Sequence, residues 1–220
     1  MRTQVKRRAG RKPGAGIDAR SQLLAAASEL MIEKQTIDVS IIEIAQRAQL
    51  NSALVSYYFG GKEGLLLALA MRDTGQAVQA LEGLMDMPWT PEVKLRKHIA
   101  GIINFNFRYP YMTRLIHLLL RDAASESARE ITKAFSEPVT KAQARLLEEG
   151  VAKGAFRPVD PVLFYFTVIG ACDYLFWGRS ALEFVFGIPG VDDSLRRAFI
   201  DHTVDLLLRG CLADPTRTDV

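Results

Sequence analysis

The sequence predicts an all-α protein of about nine helices, a three-helix unit at the amino end followed by a larger helical body. Three observations carry this. Apolar residues recur at three- and four-residue intervals in successive stretches of the chain. The stretch Val39 to Lys62 reads as two short helices joined by a tight turn. At 220 residues with 49% hydrophobic content the chain buries a real core, as one large domain or two small ones, and is not disordered.

Charge is unevenly spread. The net value of +3 is modest, but residues 1 to 62 hold 10 Lys/Arg against 5 Asp/Glu, while residues 63 to 220 hold 18 against 20. The positive excess therefore sits at the amino end. Residues 1–16 form a flexible basic arm: Arg2, Lys6, Arg7, Arg8, Arg11 and Lys12 meet no acid before Asp18, and Gly10, Pro13, Gly14 and Gly16 block regular structure. Alone, such an arm is as well read as a solubility tail. Beside a groove-reading helix, Arg7, Arg8, Arg11 and Lys12 become candidates to neutralise phosphates or enter a minor groove.

From Ile17 to Gln35, Leu23, Leu24, Ala27, Leu30 and Met31 make one face of an amphipathic bracing helix, with Asp18 as its expected cap. The second helix has Ser40 as cap and Glu43 three residues on, a capping-box pattern, and buries Ile41, Ile44, Ala45 and Ala48. Gln49-Leu50-Asn51 is the turn, in which Leu50 plugs the core and Asn51 caps a third helix from about Ser52 to Phe59. Val55 and Phe59 face inward, which turns Ser52, Ala53, Ser56 and Tyr57 outward. That face is small and polar. Small side chains let a helix enter the major groove, and hydroxyls and a phenol reach base edges or phosphates. Gly60-Gly61 ends the helix, and Lys62 stands where its ammonium meets a backbone phosphate. The candidate DNA contacts are thus Ser40, Asn51, Ser52, Ala53, Ser56, Tyr57, Tyr58 and Lys62, with the arm.

Here the chain resembles the TetR/AcrR family of bacterial transcriptional regulators, on Arg20, Leu24, Ala26-Ala27, Leu30, Ile44-Ala45, Ala48, Leu50, Tyr58-Phe59 and Lys62-Glu63-Gly64-Leu65. The match covers about residues 17 to 70. Three positions depart from the family pattern: Gln49 stands where Gly is usual in the turn, Asn51 where Ser or Thr is usual, and Ser56 where an aromatic is usual. Gln49 strains a turn that favours Gly, and Ser56 shifts phosphate contacts onto Tyr57, Tyr58 and Lys62.

A long helix then runs to about Met87 and stops at Pro88-Trp89-Thr90-Pro91; the resemblance makes it the connector to a ligand domain. Further helices span about Glu92 to Arg108 and Tyr111 to Ala123, the latter apolar enough to be central. The stretch from Ser125 holds Pro138, so it is kinked there or is two helices. The string Gly150-x-x-x-Gly154-x-Phe156-Arg157-Pro158-x-Asp160-Pro161 resembles a helix join in the same family. Pro161 to Gly178 is apolar enough to raise a membrane span, but Asp173 interrupts it and Arg179 and Glu183 follow. A helix apolar on all sides also suits a bundle that packs inward and against a second subunit. With the last helix, Ser194 to about Leu212, it would form the four-helix homodimer interface that the resemblance implies. Residues 213–220 read as a frayed tail.

Chemistry for catalysis is missing. His98, His117 and His202 fall in three separate helices, and no HExxH, GxSxG, Walker or complete GxGxxG pattern occurs, so neither a catalytic site, a metal site nor a cofactor is expected. Cys172 and Cys211 have no metal or redox spacing, which fits buried, reduced thiols in a cytoplasmic protein. Aromatics concentrate in the body, and the family resemblance implies an effector cavity there, with Asn104, Phe105, Arg114, His117, Tyr165, Asp173 and Trp177 as candidates. The resulting division is 17–62 for DNA binding and 63–212 for effector binding and dimerisation. The expected function is a repressor released from a palindromic operator on double-stranded DNA by a small, largely apolar effector. Two rivals stand beside it: a DNA-binding module whose body docks a protein, and a small-molecule enzyme with an incidental basic end.

Overall fold

The computed structural model describes residues 15–214 and 216; residues 1–14 of the basic arm, including Arg7, Arg8, Arg11 and Lys12, lie outside the described residues, while Ala15 and Gly16, expected in the arm, belong to the first helix. Eleven α-helices occur among the described residues: α1 (Ala15–Lys34), α2 (Ile41–Arg47), α3 (Ala53–Phe59), α4 (Lys62–Asp86), α5 (Pro91–Arg108), α6 (Met112–Leu120), α7 (Glu126–Ile131), α8 (Glu137–Ala152), α9 (Pro161–Trp177), α10 (Arg179–Phe184) and α11 (Asp193–Cys211). The count exceeds the expected nine because two stretches divide. A π turn at Thr132–Ser136 separates α7 from α8 and sets Pro138 in the first turn of α8, where its missing N–H leaves no bond unmade. Gly178 separates α9 from α10. The first helix begins at Ala15, so Asp18 stands inside it and not at its start, where a cap was expected.

Two clusters of buried side chains share helix α4. Its first half gives Leu65, Leu66, Leu69 and Ala70 to an amino-terminal core with Leu23, Ala27 and Met31 of α1, Ile44 of α2 and Val55 of α3. Its second half gives Val78, Leu81 and Met85 to the core of the body, with Ile99 and Ile103 of α5, Leu146 of α8, Phe164, Val168 and Cys172 of α9, and Val204 and Leu208 of α11. Helix α6, expected to be central on all sides, is amphipathic: Met112, Leu115 and Leu119 are buried, yet His117 is exposed. Its buried face joins the amino-terminal core, so α4 and α6 together tie the first three helices to the body.

The Gly150 to Pro161 join is built by close approach. A methyl group on Gly150 would lie 2.0 Å from the Phe156 ring, so only Gly lets that ring seat, and Phe156 then pairs with Leu212 in an isolated antiparallel bridge. Ala213, placed by the sequence in a frayed tail, donates its N–H to Ala155 O at 3.0 Å. Both cysteines are buried and free, and burial pushes their thiols up to about 12 for Cys172 and about 11 for Cys211. No described helix is long and apolar enough to cross a membrane.

One buried histidine links stability to pH. His98 of α5 is 4% exposed, its Nε2 lies 2.9 Å from Gln143 Nε2 of α8, and burial lowers its pKa from 6.5 to about 4. The neutral ring is the folded form. The unfolded chain therefore takes up the proton first, and the contribution of this residue is present above pH 6.5 and lost as pH falls toward 4. We expect urea unfolding across that window to show a loss on the order of 3 kcal/mol that His98→Gln removes. An equal loss in the variant would assign it to carboxylates.

Candidate nucleic-acid interface and helical-body cavity

The turn between α2 and α3 is fixed by local hydrogen bonds. Ser40 Oγ accepts from Glu43 N at 3.2 Å while Glu43 Oε2 accepts from Ser40 N at 2.8 Å, completing the capping box. Glu43 also accepts from Lys34, and that bond, with those from Ser40, holds its carboxyl down at about 2. Gln49 has φ +54°, the left-handed conformation in which Gly costs nothing, so the departure from Gly does strain the turn, by about 1 kcal/mol. Asn51 Oδ1 then accepts from Ala53 N at 2.8 Å and starts α3.

With Val55 fully buried and Phe59 half-buried, Ser52, Ala53, Ser56 and Tyr57 all point to solvent, as do Ser40 and Asn51. Tyr57 is 70% exposed and meets Tyr58 edge to face at 4.9 Å. An aromatic left this far in water presents most of its surface to a partner. The nearby cations divide into two sets. Lys34 and Arg47 are held by Glu43, Glu33 and Glu29, and Arg20 lies 5.1 Å over the Phe59 ring, so these brace the unit. Lys62, at the start of α4, comes only within 3.9 Å of the exposed Asp38. Its charge is available at the edge of the polar face.

A cavity of about 860 Å³ opens in the body between α4, α5, α6, the π turn, α8 and α9. Of the predicted ligand residues, Asn104, Phe105, His117, Tyr165, Asp173 and Trp177 line it. Arg114 does not: its Nη1 donates to Gln35 O at 3.3 Å, turning the side chain toward the end of α1. Asn104 sits at the rim, exposed and bonded to Arg196. The buried amide of the wall is Asn106, which follows Ile99 and Ile103 at helical spacing and donates to Asp173. Burial raises the Asp173 pKa against that bond and the nearby His117. The His117 ring packs on Trp177 at 5.1 Å.

One feature of the wall escaped the sequence. Asp73 of α4 lines the cavity, is 2% exposed, and accepts from Tyr111 OH at 2.7 Å and from Arg72 Nε at 2.7 Å. The Tyr111 oxygen lies 2.9 Å from Ser28 Oγ of α1. A buried polar chain thus runs from the cavity wall to the first helix of the amino-terminal unit. The signal was present: Asp73 stands seven residues after Leu66 and three after Ala70, a charge on the apolar stripe of α4.

A family model described as Tetracyclin repressor-like, C-terminal domain, matches residues 88–217, and one described as Bacterial regulatory proteins, tetR family, matches residues 23–69. The HTH-type transcriptional repressor NicS of Pseudomonas putida is 25% identical over 195 residues, 87% of this chain and 91% of that protein. The HTH-type transcriptional regulator BetI of Brucella anthropi is 35% identical over 91 residues, which span 40% of this chain and 43% of that protein. Among solved structures, a TetR/AcrR-family regulator from Thermobifida fusca shares the fold with a TM-score of 0.68 at 24% identity, covering 88% of this chain and 98% of that one. FadR of Bacillus subtilis, solved with stearoyl-CoA, gives 0.67 at 20% identity, covering 86% and 98%. These relatives are transcriptional regulators, not enzymes, and with both family models matched the chain belongs to the TetR family of bacterial regulatory proteins.

Proposed function

We propose that the protein is a homodimeric, cytoplasmic repressor that binds a two-fold operator through α3 of each subunit and leaves it when a small, largely apolar effector fills the cavity. The observation that carries this is the double role of α4. One end follows the polar face of α3 directly, and the other walls the cavity, so any tilt that an effector imposes moves the recognition helix. The Asp73–Tyr111–Ser28 chain adds a second tie, from the cavity wall on α4 to α1 of the amino-terminal unit. Successive major grooves offer half-sites about 34 Å apart, so a change in the spacing of paired α3 helices becomes a change in affinity. A cavity of about 860 Å³ also favours a small effector over a docked protein, which would need a filled core.

Dimerisation through α9 and α11 follows from an unpartnered stripe. Leu163 of α9 is 68% exposed and Leu206 of α11 is 59% exposed, neither of them lining the cavity, and Phe166 and Tyr174 of α9, which do line it, are 69% and 68% exposed. Large apolar side chains in such a row mark an interface.

Selection of bound fragments from genomic DNA tests the reading and is expected to return a two-fold palindrome. On that palindrome Lys62→Ala should weaken binding to all sequences alike and flatten the salt dependence by about one unit of slope. An unchanged slope removes Lys62 from the phosphate contacts, and recovery of no common sequence removes specific DNA binding.

A further inference from the structure

On α9, Tyr165, Ile169, Asp173 and Trp177 follow one another at four-residue spacing and all line the cavity, which puts a carboxylate in the middle of its aromatic wall. Asp173 is the carboxylate there without a matched charge. Asp73, the other, is bonded to Arg72 and Tyr111. Asp173 receives only the neutral amide of Asn106, and among the described residues no Lys, Arg or His nitrogen lies within 4.0 Å of it. Of the other basic groups on the lining, Lys97, Arg108 and His117 are exposed, Arg108 already lies over the Tyr109 ring at 5.3 Å, and the buried His98 is held neutral by its burial. Water weakens the charge of those exposed groups more than that of the half-buried Asp173.

We propose that the effector is an organic cation, a protonated or quaternary amine on a bulky apolar body, whose charge sits against Asp173 and the faces of Trp177 and Tyr165. The proposal rests on the reading of this cavity as the effector site. A carboxylate held in apolar surroundings without a counter-charge is costly, and an incoming cation relieves that cost where an anion would add to it. Aromatic faces attract the same charge and shed none of their apolar contact in doing so. Burial disfavours the charged form of Asp173 against the Asn106 bond and the nearby His117, and a cation beside it would favour that form.

The test uses the full chain with Trp89→Phe, so that fluorescence reports on Trp177 at the cavity wall. Dodecyltrimethylammonium and dodecanoate, equal in chain length and both below their micelle concentrations, are titrated in turn. The cation should bind at least roughly tenfold more tightly. Asp173→Asn should erase the preference, and Asp173→Glu should keep it, which separates charge from shape and from folding. Equal or tighter binding of dodecanoate, or a preference that survives Asp173→Asn, overturns the proposal while leaving an apolar effector site in place. If neither compound reaches Trp177, both readings fall. If the cation binds but the protein stays on its operator, ligand class stands and the regulatory reading fails.

Discussion

Leu163→Glu combined with Leu206→Glu is expected to leave the protein monomeric and to lower its operator affinity by roughly 10²- to 10⁴-fold. Both leucines are exposed in the single chain, at 68% and 59%, and neither lines the cavity, so the isolated subunit loses no packing when they are changed. In a dimer through α9 and α11 each carboxylate would be buried against apolar partners with no counter-charge, at a cost far above that of a surface substitution. Operator binding by a two-fold dimer depends on linking two weak half-site contacts into one, and that gain disappears with the interface. Sedimentation and DNA retention on the doubly changed protein check both consequences together. A variant that remains dimeric moves the interface to another face, and a monomer that binds as tightly as the parent shows that one α3 suffices.

How far the sequence reaches differs between the two halves of the molecule, for a physical reason. In the amino-terminal unit each element is set by local bonds and short spacings: the capping box at Ser40 and Glu43, the cap from Asn51 and the inward Val55 all follow from residues within a few positions of each other. The strained Gln49, with φ +54°, was legible only through the family resemblance, because Gly is usual at that place in the turn. The cavity is assembled from five helices and a π turn far apart in the chain, so the aromatic residues marked its region without fixing its lining. Arg114 and His117 are three residues apart on α6, yet one reaches back to Gln35 and the other forward to Trp177. Asn104 and Asn106 are chemically alike, and only the phase of α5 decides which is buried. Asp73 and Tyr111, 38 residues apart, meet through tertiary packing of α4 on α6, which no local pattern reveals.

The join between α3 and α4 is where a single atom should matter most. A methyl group on Gly64 would lie 1.9 Å from the Phe59 carbonyl oxygen and 3.0 Å from its carbon, and both are backbone atoms that cannot rotate aside. Gly64→Ala must therefore push the end of α3 away from the first turn of α4. We expect it to cost about 3 kcal/mol in stability. Because the same displacement swings Tyr57 and Ser56 relative to Lys62, operator affinity should fall beyond what the loss of folded protein explains. Gly75, also on α4, supplies the contrast: a methyl group there meets nothing within 4 Å, so Gly75→Ala should raise stability by up to about 1 kcal/mol through helix propensity alone. Thermal melts and DNA retention on the two variants decide the matter. If both behave alike, the Phe59–Gly64 approach does not set the position of α3. Opposite signs would make that approach the mechanical hinge between α4 and the DNA.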